Sequence, residues 1–163
     1  MIKKLVLPLA AAALFIVAVG IFMQKSGTWN PKVSPTPIPK PQVVIGENII
    51  DVEVAKTNED RELGLGGRNS LDPNSGMLFV FTESEYSPKF WMKDMLIPID
   101  IIWIKDGKII KIDRNAPAPK EGTADSKLTV YSAGTVNYVL EVNAGFCNTN
   151  KISVGDEVTI SGI

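Results

Sequence analysis

Pro98 lies inside the run Phe90-Trp91-Met92-Lys93-Asp94-Met95-Leu96-Ile97-Pro98-Ile99-Asp100-Ile101-Ile102-Trp103-Ile104, and it decides what that run can become. The proline ring locks its own backbone and pushes Ile97 into an extended conformation, so no helix passes this point. The residues that follow are β-branched or aromatic, which suits a strand. Alternation puts Ile99, Ile101 and Trp103 on one face and Asp100, Ile102 and Ile104 on the other. Both faces are apolar, so the strand is expected to be central and covered on both sides. That leaves Asp100 on a buried face, where a carboxylate needs an ion pair or hydrogen bonds. Two arrangements would answer this need. Asp100 pairs with Lys93 or Arg68, or it sits at the open end of the strand, solvated or accepting backbone N–H groups.

The flanking segments repeat the strand pattern. Val43–Ile45 and Ile49–Val54 read as strands around Gly46-Glu47-Asn48, and Gly76–Phe81 as a buried strand. Asp106-Gly107 between Ile101–Lys105 and Lys108–Ile112 is the strongest hairpin signal in the chain. Leu128–Ala133 and Val136–Val142 follow around Gly134-Thr135, and Lys151–Ile160 supplies a turn and a last strand. Ser84–Lys89 is a polar connection, and Asn115–Thr123, with Pro117, Pro119 and Gly122, is expected to be a surface loop. A short helix from Thr57 or Asn58 through Leu65 is predicted by its cap and by acidic Glu59, Asp60 and Glu62 in its first turns. Asn143 is expected to cap a helical turn near Phe146. The fold class is therefore mainly β: a compact antiparallel sandwich or barrel over residues 42–163, with one or two short helices.

Residues 1–23 form an appendage to that domain. Leu5–Met23 is apolar apart from the breaks at Pro8 and Gly20, is preceded by Lys3-Lys4, and is long enough to span a bilayer core. The expectation is a single-pass anchor, with the N-terminus in the cytoplasm and the domain on the extracytoplasmic side. The alternative is a signal peptide cleaved after Ala18-Val19-Gly20, giving a secreted domain. Residues 24–41, with Pro31, Pro35, Pro37, Pro39 and Pro41, form a semi-extended linker.

Charge narrows the functional classes. Residues 42–163 hold 12 basic and 18 acidic residues, a net charge of −6 with no basic cluster, which argues against nucleic acid as a partner. The chain has no histidine, which removes the commonest general base, the histidine-containing triads and the usual zinc sites. The single Cys147 cannot form an intrachain disulfide and is expected to be buried.

Four blocks together give the chain a family resemblance: Gly64-Leu65-Gly66-Gly67-Arg68, Gly76–Phe81, Phe90–Asp100, and Tyr138–Gly145 with Gly155-Asp156. In order and spacing they resemble the bacterial and archaeal family called domain of unknown function 192, over essentially all of residues 47–160. The resemblance implies a small, compact, mainly-β domain, often behind a signal peptide or anchor, and implies no activity. Asp94 stands where the family pattern has a neutral asparagine.

The polar members of these blocks are Arg68, Lys93, Asp94, Asp100 and Glu141. If the blocks converge, these residues could line one ligand site with Trp91 and Met77 as its apolar wall. Arg68 and Lys93 would then suit a carboxylate or phosphate on a small molecule or envelope component. The competing structural arrangement has Arg68–Asp100 and Lys93–Glu141 as ion pairs that fix turns. A hydrolase using paired carboxylates is the alternative function. A minor one is a Cu(I) site built from Met77, Met92, Met95 and Trp91; otherwise neither a metal site nor a cofactor is expected. The glycine-rich Gly64–Arg68 segment lacks the spacing of a phosphate loop and reads better as a helix end and turn.

Overall fold

The computed structural model describes residues 39–81 and 87–163. The expected anchor, nearly all of the linker and much of the connection before Lys89 lie outside the described residues. Among the described residues no helix is long and apolar enough to cross a membrane.

Among the described residues, nine strands and two short helices follow one another. They are β1 (Gln42–Ile45), β2 (Asn48–Ala55), α1 (Asn58–Leu63), β3 (Ser75–Val80), β4 (Phe90–Trp91), β5 (Ile99–Lys105), β6 (Lys108–Ala116), β7 (Val130–Tyr131), β8 (Tyr138–Asn143), α2 (Phe146–Thr149) and β9 (Val158–Ser161). Seven strands form one sheet in the order β6-β5-β8-β3-β2-β1-β9, and β4 pairs with β7 in a small second sheet. The domain is mainly β, as the alternation requires, but it is neither a sandwich nor wholly antiparallel. One sheet curls on itself, and β2 pairs with β3 in parallel. The reason is α1. It lies in the connection between these strands and makes it long enough to return β3 in the same direction as β2.

Irregularities in the β5–β6 register, between Ile99 and Ile101 and between Trp103 and Ile104, add local twist. At one end the curl brings β6 back to the segment before β9. There Ile109 N–H donates to the Asp156 carbonyl at 3.0 Å, and Gly155 N–H to that of Ile109 at 2.8 Å. The sheet is thus a half-barrel with cores on both faces. One contains Val43, Ile50, Leu78, Ile102, Leu140 and the α2 residues Phe146 and Cys147. The other contains Met77, Phe79, Ile99, Ile101, Trp103 and Val139, roofed by Leu65, Met92 and Met95. β5 lies between β6 and β8 and is buried along nearly its whole length, which matches its two apolar faces.

Local chemistry sets the element ends. Thr57 caps α1 in a capping box: its hydroxyl accepts from Asp60 N–H, while the Asp60 carboxylate accepts from Thr57 N–H. The helix ends at Leu63, two residues before the expected end at Leu65, because Gly64 takes φ +50°. β6 runs through Ala116, into the stretch expected to be a loop, and β7 keeps only Val130–Tyr131 of the expected Leu128–Ala133. Gly76 is required by packing: a Cβ there would lie 2.6 Å from the Glu141 carbonyl oxygen, so only glycine lets β3 and β8 approach this closely.

Candidate functional site

Asp100 is fully buried and is neither solvated nor ion-paired. One carboxylate oxygen accepts from Asn115 N–H at 2.8 Å and Gly145 N–H at 3.2 Å, and the other accepts from Cys147 N–H at 2.9 Å. Gly145 and Cys147 lie at the start of α2, whose first N–H groups have no partner within the helix. Asp100 on β5 therefore supplies the cap that was expected of Asn143. Asn143 instead donates its side-chain amide to the carbonyls of Leu71 and Asp72. The arrangement ties β5, the end of β6 and α2 together, so Asp100 is a structural residue. The adjacent Cys147 thiol is buried against it and is pushed up to about 12, chiefly by desolvation, which leaves it protonated and inert.

The two expected ion pairs are replaced by others. Arg68 pairs through both guanidinium nitrogens with Glu53 on β2, not with Asp100. This hydrogen-bonded pairing holds Glu53 below and Arg68 above their usual pKa values. Lys93 pairs with Asp125 at 2.8 Å, not with Glu141, and lies over the Trp91 ring. Asp125 raises the Lys93 pKa. Met77, Met92 and Met95 are all buried in one apolar cluster, the ordinary place for methionine as a gap filler. Met92 and Met95 reach the same core because a turn separates them, with Met95 N–H donating to the Met92 carbonyl. Among the described residues no three His, Cys, Asp or Glu side chains cluster as metal ligands would.

A cleft of about 740 Å³ opens between α1 with its following turn and the segment from Pro88 to Met95, with Phe79, Phe81 and Glu141 contributed from the sheet. Of the seven residues singled out from the sequence, Trp91, Lys93, Asp94 and Glu141 line it, whereas Arg68, Met77 and Asp100 do not. The glycine-rich segment forms one wall. Gly67 N–H donates to the Asp94 carbonyl at 2.8 Å, joining the two walls at their base. Asp94 itself has φ +57°, a left-handed conformation that asparagine and aspartate tolerate best. The backbone at this position thus suits Asp.

Glu141 is the unusual group. Register places it on β8 between Met77 of β3 and Ile101 of β5, on the face that carries the Phe79, Trp103 and Val139 core. It is 6% exposed, and among the described residues its carboxyl makes no hydrogen bond or ion pair. No fully enclosed polar side-chain atom among the described residues lacks a partner, so the Glu141 oxygens keep a trace of exposure, and Glu141 lines the cleft. Burial alone pushes its pKa up to about 8, so the acid is held mostly neutral at pH 7. The basic residue nearest in kind, Arg61, is committed elsewhere. Its guanidinium donates to the carbonyls of Lys56 and Val80 and to Asn58 Oδ1, and lies over Phe81. Sequence reasoning missed Arg61, Phe79, Phe81 and Phe90 as cleft residues. The signal available for the phenylalanines was only their apolar character, which core positions share.

The DUF192 family model, described as "Uncharacterized ACR", matches residues 42–160. The chain belongs to this family. The DUF192 domain here therefore includes every strand of the fold except the last residue of β9. Among solved structures, the chain is similar to a Sinorhizobium meliloti 1021 protein described as a "putative transcription regulator". The two are 31% identical, with a TM-score of 0.65 over 76% of this chain and 94% of that one. It is also similar to a protein of unknown function from Novosphingobium aromaticivorans DSM 12444, at 29% identity and a TM-score of 0.63, over 74% and 83% of the two chains. No curated protein matches the chain.

Proposed function

We propose that this DUF192 domain is a binding module whose cleft takes a small organic ligand, displayed outside the cytoplasmic membrane on a proline-rich tether. The observation that carries the binding reading is Glu141, a buried carboxyl without a partner among the described residues, lining an aromatic-walled cleft. A domain keeps such a group at a cost in stability, and partnerless buried acids concentrate where a ligand supplies the missing interaction. The tether reading rests on Leu5–Met23 and the prolines of residues 24–41. Cleavage after Gly20 would instead release the domain. The description of the Sinorhizobium protein has no electrostatic footing in this chain, because residues 42–163 carry a net charge of −6. A hydrolase would need a second, oriented carboxylate. Glu62 and Asp94 also line the cleft, but among the described residues no hydrogen bond holds either side chain in place. Binding is therefore the better-supported function.

A thermal-shift screen of the full chain, over sugars, peptidoglycan fragments, phosphorylated metabolites and amines, tests this. A ligand at 100 times its Kd adds about 2.7 kcal/mol of stability. The expected hit loses its shift in Trp91→Ala and keeps it in Arg68→Ala, since Arg68 lies outside the cleft. A hit lost only in Arg68→Ala, or no hit at all, would overturn the cleft as the binding site.

A further inference from the structure

The chemistry of the cleft narrows its ligand. Among the described residues, the aromatic side chains Phe79, Phe81, Phe90 and Trp91 line it, and Glu141 is the only buried charged or polar side chain in its lining. The Phe90 ring stands edge-on to Phe79 at 4.9 Å between centroids, so the aromatic wall is braced from within the core. Ring faces attract cations, and a buried carboxylate is stable only beside a counter-charge. The described residues do not provide that counter-charge. The strand neighbours of Glu141, Met77 and Ile101, are uncharged. The titratable groups facing the cleft from α1 are Arg61 and Glu62, and those from the opposite wall are Lys89, Lys93 and Asp94. Of the three cations, Arg61 is spent on carbonyls and Asn58, Lys93 is paired with Asp125, and Lys89 is exposed. None of them forms an ion pair with Glu141. The acidic balance of the domain also favours the approach of a cation.

We infer that the ligand of this cleft presents an alkylammonium group, seated among the aromatic side chains and paired with an ionised Glu141, and that its binding drives the Glu141 proton into solvent. The inference rests on the binding reading above and names its ligand class. The proton balance is simple. The free domain holds Glu141 mainly as the acid, the bound domain holds it as the carboxylate, and the released proton passes to buffer. Because burial raises the pKa of Glu141 to about 8, the effect falls within the physiological pH range.

The test uses the full chain in a maltoside detergent and choline, whose quaternary charge does not titrate. Calorimetry at pH 7 in two buffers of different ionisation enthalpy is expected to show about one proton released per choline bound. The Kd is expected to weaken about tenfold for each pH unit below 8. In Glu141→Gln, proton release and pH dependence both disappear and binding weakens at least about tenfold. The uncharged isostere 3,3-dimethyl-1-butanol is expected to bind much more weakly than choline. Equal binding of the isostere, cation binding without proton release, or unchanged binding in Glu141→Gln would overturn the inference. If only neutral compounds from the screen bind, and bind in the cleft, the ammonium inference fails while the binding function stands. If nothing binds, both fail.

Discussion

Replacing Asp100 with alanine is expected to destabilise the domain by about 3–5 kcal/mol, because three backbone donors lose their acceptor at once. The substitution would leave three backbone donors, on Asn115, Gly145 and Cys147, facing a small cavity with no acceptor. Each such orphan costs about 1–3 kcal/mol before any relaxation. For a domain of this size the loss should lower Tm by about 10–20 °C, read by thermal or denaturant unfolding. Asp100→Asn separates the charge from the geometry. The oxygen that serves Asn115 and Gly145 can survive as the amide oxygen, but the amide nitrogen would then face Cys147 N–H, donor against donor. An intermediate loss is therefore expected for asparagine. If both variants unfold like the wild type, the three-way hydrogen-bonding role assigned to Asp100 is wrong.

The second large effect has the opposite sign. Glu141→Gln is expected to stabilise the domain by about 2–4 kcal/mol at pH 8, and the gain should vanish near pH 4.5. Burial raises the folded-state pKa of Glu141 from its ordinary 4.5 to about 8. Between those values the folded chain keeps a proton that the unfolded chain gives up. The contribution of Glu141 to stability is thus full below about 4.5. It declines as pH rises and is lost once the folded-state acid ionises near 8. Glutamine has no proton to lose and resembles the neutral acid in shape, so its advantage over glutamate should grow with pH across this window. The readout is urea unfolding of both proteins at pH 5, 6.5 and 8. A flat difference across these values would mean that Glu141 is not held in a low-dielectric site. A variant that is more stable yet does not bind would match the common trade between stability and function.

Local pattern made much of the fold legible. Alternation marked β2, β5 and β8, Asp106-Gly107 marked the β5–β6 hairpin, and Thr57 marked the start of α1. What stayed hidden depends on distant pairing. Nothing local says that β2 runs parallel to β3, because that follows from where α1 returns the chain. Nor does sequence reveal that Asp100 caps a helix 45 residues away, or that Arg68 meets Glu53 across 15 residues. The motif blocks identified four of the cleft residues, because Trp91, Lys93 and Asp94 come from one continuous segment and Glu141 interrupts an otherwise apolar strand. They also drew in Arg68, Met77 and Asp100, whose residue types suit a ligand site but which this fold uses in an ion pair, in the core and as a cap. The phenylalanines of the cleft could not be told from core residues until the sheet placed them beside Glu141.

The proposed binding role rests on Glu141 being a neutral acid without a partner among the described residues. Its most direct test is a carbon-13 NMR titration of the Glu141 carboxyl in the full chain, assigned by comparison with Glu141→Gln. A midpoint near 8 is expected, moving below neutrality when choline is present in excess. A midpoint in the ordinary glutamate range, near 4.3, would contradict it.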